Sequence, residues 1–486
     1  MKNMVSMTKQ SHRQLIIGLL LLIAGGCSHP SDNPSMPTEI PESFSVTGTE
    51  PLADKFWQAF EDNELNSLID QALANNFTLE TAWDRLAQAQ AVAKKSDSAL
   101  WPQAELDGSF RRSRQDNQDL ITYSSLYSLG IAAGYEVDLW SRLKSSQKAA
   151  WLDVQAQRDA VNTAAITVTA SIANTWYQLA EVKALIRIAA EQIQTNRQVL
   201  EIVTVKFRKG TASAADVLRQ RQLVASTEGL MIVARETEEL LQYQLSVLVG
   251  NQPELTWQQT SITLPDLPPL PGIGVPADVL WRRPDVRRDF RQLQAADQRL
   301  AVAIADQYPR ISIAAGADTS AVSAHDLFDN WLANLAANAI QPLFDGDRRK
   351  AEVQRQQAVV TERVHTWGQT ILDALWDIEV ALTQERQQTQ LLESLNLQLK
   401  LARETYQRNR ERYIKGQANY IRVLESLQSM QTLERNVVTA QRTLIRYRID
   451  LYRSIAGPFD LPRPAISRTV NSTETARLSA AIIEDE

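Results

Sequence analysis

The chain has 486 residues, 22% of them charged, with a formal net charge of −6. A mildly acidic balance without a basic stripe argues against nucleic-acid binding. One cysteine and four histidines, of which His12 and His29 lie near the N-terminus, leave no disulfide framework, and no metal centre, cofactor or catalytic site is expected.

Lys2, Lys9 and Arg13 precede an apolar run from Leu15 to Ala24 that is too short to span a bilayer. Residues 1–26 are therefore expected to be a secretory signal. The stretch Ile23-Ala24-Gly25-Gly26-Cys27 resembles a bacterial lipobox, with Ala24 where leucine is usual. That resemblance implies acylation of Cys27, and Ser28 after it favours delivery to the outer membrane. Each buried methylene of the acyl chains would contribute roughly 0.8 kcal/mol to anchoring. Residues 27–55 then form the lipidated N-terminus and a Pro/Ser/Thr-rich tether.

The rest of the chain is written twice. Leu86 and Leu293 are 207 residues apart, as are Trp101-Pro102 and Tyr308-Pro309. Lys209-Gly210 and Lys415-Gly416 are 206 apart, and the same offset relates Phe207 to Tyr413, Ala212 to Ala418 and Val217-Leu218 to Val423-Leu424. So steady an offset marks a tandem duplication, with repeats at 56–250 and 285–457. Seven prolines between 251 and 284 exclude a long helix or central strand there, which makes this segment a surface linker. Residues 458–486 read as a C-terminal tail.

Each repeat opens with a helix, about 64–100 in the first and after Pro284 in the second, ended by its aromatic-proline pair. A weak, polar strand at about 103–111 follows. Then Tyr127, Leu129, Ile131, Ala133, Tyr135 and Val137 alternate with Ser128, Gly130, Ala132, Gly134 and Glu136. An apolar face, small or polar residues opposite and tyrosines at both ends suit a strand in a membrane barrel. The second repeat alternates at Ile311, Ile313, Ala315 and Ala317, and again at Trp331, Ala333, Leu335, Ala337 and Ala339.

Residues 141–209 contain neither glycine nor proline, and 347–415 contain only Gly368. Apolar residues at spacings of three and four, such as Val168, Ile172, Leu179, Val182 and Ile186, form a coiled-coil seam. At ~1.5 Å per residue each such helix reaches roughly 100 Å. After each Lys-Gly the chain reverses into a helix of about 37 residues, ending near Gly250 or Gly457. Four strands cannot close a barrel, and open edges are not tolerated in lipid, so two, three or four chains must combine.

This order of elements, twice over, resembles the outer membrane factor (TolC-like) family. The local motifs agree: Asp138-Leu139-Trp140, Arg283-Pro284-Asp285-Val286-Arg287, Tyr308-Pro309-Arg310-Ile311-Ser312 and Pro342-Leu343-Phe344-Asp345-Gly346-Asp347-Arg348. The resemblance covers about 55–460 and, with the lipobox, points to the lipoprotein branch serving drug-exporting pumps. It implies a mostly α fold with transmembrane β: a homotrimer whose twelve-stranded barrel continues into a twelve-helix periplasmic α-barrel, with the linker in an equatorial belt. It further implies a passive, gated exit duct in the outer membrane, working with a periplasmic adaptor and an inner-membrane pump.

The two turns, Lys209-Gly210 and Lys415-Gly416, are expected to form the periplasmic tip, and a second expectation is that they dock a periplasmic adaptor. Ile421 and Glu425, four apart on one helix face, match the apolar and acidic positions that in the resembling family ring the closed entrance. Glu425 replaces the more usual aspartate, and Arg422 stands where some members carry a second acid. Asp216 and Tyr413 match latch positions between neighbouring helix pairs. Two rival readings stay open: an exit duct for proteins, and a pore-less periplasmic coiled-coil lipoprotein.

Overall fold

The computed structural model describes residues 37–49, 55–117, 120–255, 263–459 and 461. The signal segment, Cys27 and the tail from Pro462 lie outside the described residues. The described residues divide into two compact units: Arg85–Arg158 with Arg288–Thr370 and residues 37–39, and Ile40–Asp84 with Asp159–Arg287 and the described residues from Ile371 on.

The first unit holds a four-stranded antiparallel sheet in the order β1-β2-β3-β4, with β1 Gln103–Asn117, β2 Leu120–Val137, β3 Arg310–Ala321 and β4 Leu332–Ile340. β1 and β4 are its free edges. The register puts Phe110 opposite Tyr127, Leu106 opposite Ile131, and Ile131 in turn opposite Ala317. One face is thus apolar, with Leu129, Ile131, Tyr135, Ile311 and Ile313, and the other carries Ser109, Ser113, Ser124, Ser128 and Gly134. β1 runs six residues beyond the expected 103–111, because its polar end is held by the ladder and by Ser–Ser hydrogen bonds of 2.7 Å at Ser109–Ser128 and Ser113–Ser124. Hydrophobic alternation cannot register such a strand.

Aromatic side chains mark both ends of the sheet. Where helices join it, Trp140 stacks on Tyr308 at 4.9 Å and donates its indole N–H to the Pro309 carbonyl at 2.8 Å. Toward the hairpin tips lie Phe110 against Tyr127 at 4.7 Å, exposed Tyr123, and Phe328 against Trp331 at 6.4 Å.

The single first helix expected over 64–100 is instead two, α1 Asn63–Asn75 and α2 Phe77–Ser98. Asn76 breaks it: its side-chain oxygen accepts from the Thr78 and Leu79 amides while its amide group donates to the Leu248 carbonyl at 2.8 Å. The second repeat has the same break at Arg283, between α5 Pro276–Arg282 and α6 Pro284–Ala305. α5 is a helix in a segment expected to be linker, started by Pro276 at its first turn, where a missing N–H costs nothing. Each repeat then has its long helix, α3 Arg142–Arg208 and α7 Arg348–Ile414, and a return helix, α4 Ala214–Leu248 and α8 Tyr420–Ile455. Among the described residues no helix is long and apolar enough to cross a membrane.

In the second unit Phe56, Trp57, Phe60, Tyr177, Tyr452 and Phe459 form an aromatic core, with ring centroids 5.2–6.0 Å apart. The proline-rich segment is tied down by Arg448, which donates to the Pro268 carbonyl at 2.6 Å and pairs with buried Glu385 at 2.6 Å.

Candidate functional site

The two Lys-Gly turns are built alike. Gly210 and Gly416 adopt φ of 73° and 77°, a left-handed conformation open to glycine and strained for other residues. In the first turn the Gly210 N–H donates to the Phe207 carbonyl and Thr211 N–H to Lys206, both at 2.9 Å. In the second, Gly416 N–H donates to Tyr413 at 3.0 Å and Gln417 N–H to Arg412 at 2.8 Å. These paired bonds satisfy the last carbonyls of α3 and α7, so each long helix stops cleanly. Lys209 and Lys415 are exposed at the turns.

The return helices start differently. Ser213 caps α4 in a reciprocal box, its hydroxyl accepting from Asp216 N–H at 3.2 Å while Asp216 accepts from Ser213 N–H at 3.1 Å. Asp216 also lies 3.5 Å from Arg219. α8 is capped by Asn419, which accepts from Arg422 N–H at 3.3 Å.

Both turns pack on one buried cluster of Val199, Val203, Val217, Tyr406, Tyr413, Tyr420, Val423 and Leu427. Tyr413 and Tyr420 lie with ring centroids 6.1 Å apart, and the Lys206 ammonium sits 4.6 Å from the Tyr413 ring. The cluster brings Asp216 and Tyr413 into one neighbourhood without a hydrogen bond: the Tyr413 hydroxyl is buried with no partner among the described residues. Burial first, and the Asp216 carboxylate second, push both phenols above their ordinary value, so both remain protonated donors.

Tyr420 uses its proton. It donates to Gln220 at 2.6 Å, Gln220 donates to the Asn196 carbonyl at 2.8 Å, and Gln431 donates to the Asn196 side chain at 2.8 Å. Asn196 donates to Thr227 at 2.9 Å, and Gln192 to the Gln431 carbonyl at 3.0 Å. This polar layer, fully buried, ties α3, α4 and α8 together just inside the turns. Sequence reasoning missed it, since asparagine and glutamine recur along all these helices; the available signal was Asn196 falling one turn after Ile193 in the apolar seam.

Ile421 and Glu425 face away from this cluster. Both are exposed in the isolated chain, Ile421 to 42%, on the side of α8 opposite buried Val423 and Leu427. A shallow groove of about 460 Å³ lies at the ends of α3 and α7, lined by Glu201, Ile202, Val205, Lys206, Lys209, Thr211 and Ile414. Among the described residues no group of three His, Cys, Asp or Glu is placed to hold a metal. Chemically the site offers an exposed apolar residue, an exposed carboxylate and basic turn residues, and no constellation for bond-making chemistry is among them.

The family model described as "Outer membrane efflux protein" matches residues 68–251 and 275–457. The pyoverdine export outer membrane protein OpmQ of Pseudomonas aeruginosa is 28% identical over 469 residues, covering 93% of this chain and 98% of its own. The cation efflux system protein CusC of Escherichia coli is 26% identical over 459 residues, covering 89% and 96%. The solved structure of the outer-membrane channel OprN superposes with a TM-score of 0.83 at 22% identity, over 89% of this chain and 99% of that one. With both repeats matched by the model, the chain belongs to the outer membrane efflux protein family.

Proposed function

We propose that the chain is one protomer of a homotrimeric outer-membrane channel, anchored by acylated Cys27, that serves as the passive, gated exit duct of a tripartite efflux system. The observation that carries this reading is the sheet. It has an apolar face, aromatic residues at both ends and two unpaired edges, β1 and β4, and such a sheet is stable in lipid only when closed. Three copies supply twelve strands, with β4 of one chain against β1 of the next, and their helices line a periplasmic α-barrel.

Cargo moves through without reaction. The small-molecule class is supported by relatives named for pyoverdine and cation export. Pump and adaptor select the cargo, and the Lys209-Gly210 and Lys415-Gly416 turns dock the adaptor. Ile421 and Glu425 from three chains converge to close the entrance; three carboxylates there repel one another and favour hydrated cations.

Replacing Ile421 and Glu425 together by alanine should raise single-channel conductance in planar bilayers severalfold. Unchanged conductance from a folded trimer would remove the gate assignment. The native mass of the detergent-extracted protein should read three chains, each acylated at Cys27.

A further inference from the structure

We infer that Arg112 and Arg114, on the apolar face of β1, form a binding site for anionic, phosphate-bearing lipid headgroups in the leaflet around the hairpin end of the sheet. The inference rests on reading the sheet as a membrane-barrel wall.

Period two places Leu106, Phe110, Arg112 and Arg114 on one face of β1. The register puts Arg112 opposite Ser125 and Arg114 opposite Tyr123, on the same face of β2 as Tyr127, Leu129, Ile131 and Tyr135. Along β2 that face is apolar from Val137 to Tyr127 and turns polar at Ser125. Ser125 lies ten residues from Tyr135. At ~3.3 Å per residue and a tilt of ~40°, the two are about 25 Å apart along the membrane normal, the height of the apolar band of such barrels.

With Tyr135 at one interface, Arg112 therefore stands at the other. A guanidinium is costly at the bilayer midplane and nearly free at an interface, so this is where the strand tolerates it. The groups found at that depth are lipid phosphates, which the planar guanidinium fork pairs bidentately.

The local surroundings favour an external anion. The Arg112 guanidinium lies 5.8 Å from the Tyr123 ring, and no carboxylate among the described residues pairs with it. Arg114 is shared with Asp116 at 3.1 Å, leaving this face net positive. Arg111 points to the opposite face with Ser109 and Ser113 and does not contribute. In the second hairpin the corresponding face carries Ala317, Thr319 and Ala321, with no charge. The duplication did not copy the arginines, so each chain offers one site.

The test is native mass spectrometry of the full-length, detergent-extracted protein with phosphatidylglycerol or phosphatidylcholine added. The wild type should retain phosphatidylglycerol in preference, and Arg112→Gln with Arg114→Gln should cut its retention at least fivefold while leaving phosphatidylcholine unchanged. Planar-bilayer recordings of both proteins separate the two layers of inference. Normal channels with undiminished phosphatidylglycerol would overturn the lipid site alone. Absence of channels in the wild type would overturn the barrel reading and the lipid site with it.

Discussion

The two Lys-Gly turns have one backbone and two chemistries. Their glycine conformations and closing hydrogen bonds match across an offset of 206 residues, yet the flanking side chains do not. Where the first has Phe207, 45% exposed, and exposed Ala214, the second has Tyr413 and Tyr420, exposed to only 6% and 3%. Asp216 and Arg219 of the first correspond to Arg422 and Glu425 of the second, so the charges are exchanged. An acid in the first helical turn complements the helix dipole and a base opposes it. The first copy is thus built for a firm start to its return helix. The second gives up that local advantage and places its carboxylate one turn further on, at exposed Glu425. Its stability comes from buried aromatics instead.

That account breaks most visibly at Tyr420. Tyr420→Ala removes a buried ring and leaves the Gln220 carbonyl oxygen without its donor, which should cost about 3–5 kcal/mol. Tyr420→Phe keeps the ring but orphans the same Gln220 side-chain oxygen, and should cost less, about 1–3 kcal/mol. Ala214→Ser, at the equivalent exposed position, should change little. Heating curves followed by helical circular dichroism should rank the three in that order. A Tyr420→Ala protein melting with the wild type would mean that the cluster does not hold the second turn.

Much of this framework was legible in the sequence, and the reasons are physical. The long helices announce themselves by having no proline and almost no glycine, and the Lys-Gly turns by a glycine that can take the left-handed conformation ending each of them. β2 is readable because its faces differ in polarity. The polar end of β1 is not, because Arg111 to Gln115 are held by pairing rather than by burial. The break at Asn76 was equally hidden, since it depends on a partner distant in sequence, the Leu248 carbonyl, whereas its counterpart is marked by Pro284 and only the short helix before it was missed. For the site, Ile421 and Glu425 stand out through their resemblance to a known pattern. The layer of Gln220, Asn196 and Gln431 does not, because a buried amide and a solvated one look alike in a sequence.

A smaller effect tests whether the turns are equivalent as structure but not as surfaces. Valine at Gly210 or Gly416 would find open space around its Cβ, so only backbone strain opposes it. Each change should cost a similar ~1–3 kcal/mol, visible as matched shifts in melting. Should the turns dock an adaptor, the double substitution abolishes export from cells while the trimer persists in the membrane. Export that survives would move the docking site elsewhere.

The smallest effect concerns the exchanged charges. Arg422→Asp would give α8 the acidic third position that α4 already has, within reach of the Asn419 backbone N–H. The gain should be about 0.5 kcal/mol from the helix dipole and cap. The same change adds a carboxylate one helical turn from Glu425 in every chain and removes a cation. In planar bilayers the ratio of cation to anion permeability should therefore rise, read as a shift in reversal potential under a salt gradient. Stabilisation with an unchanged reversal potential would place Arg422 outside the conducting path, leaving its effect to the helix start alone. A shift without stabilisation would place it at the entrance and would mean that the Asn419 cap already satisfies the helix.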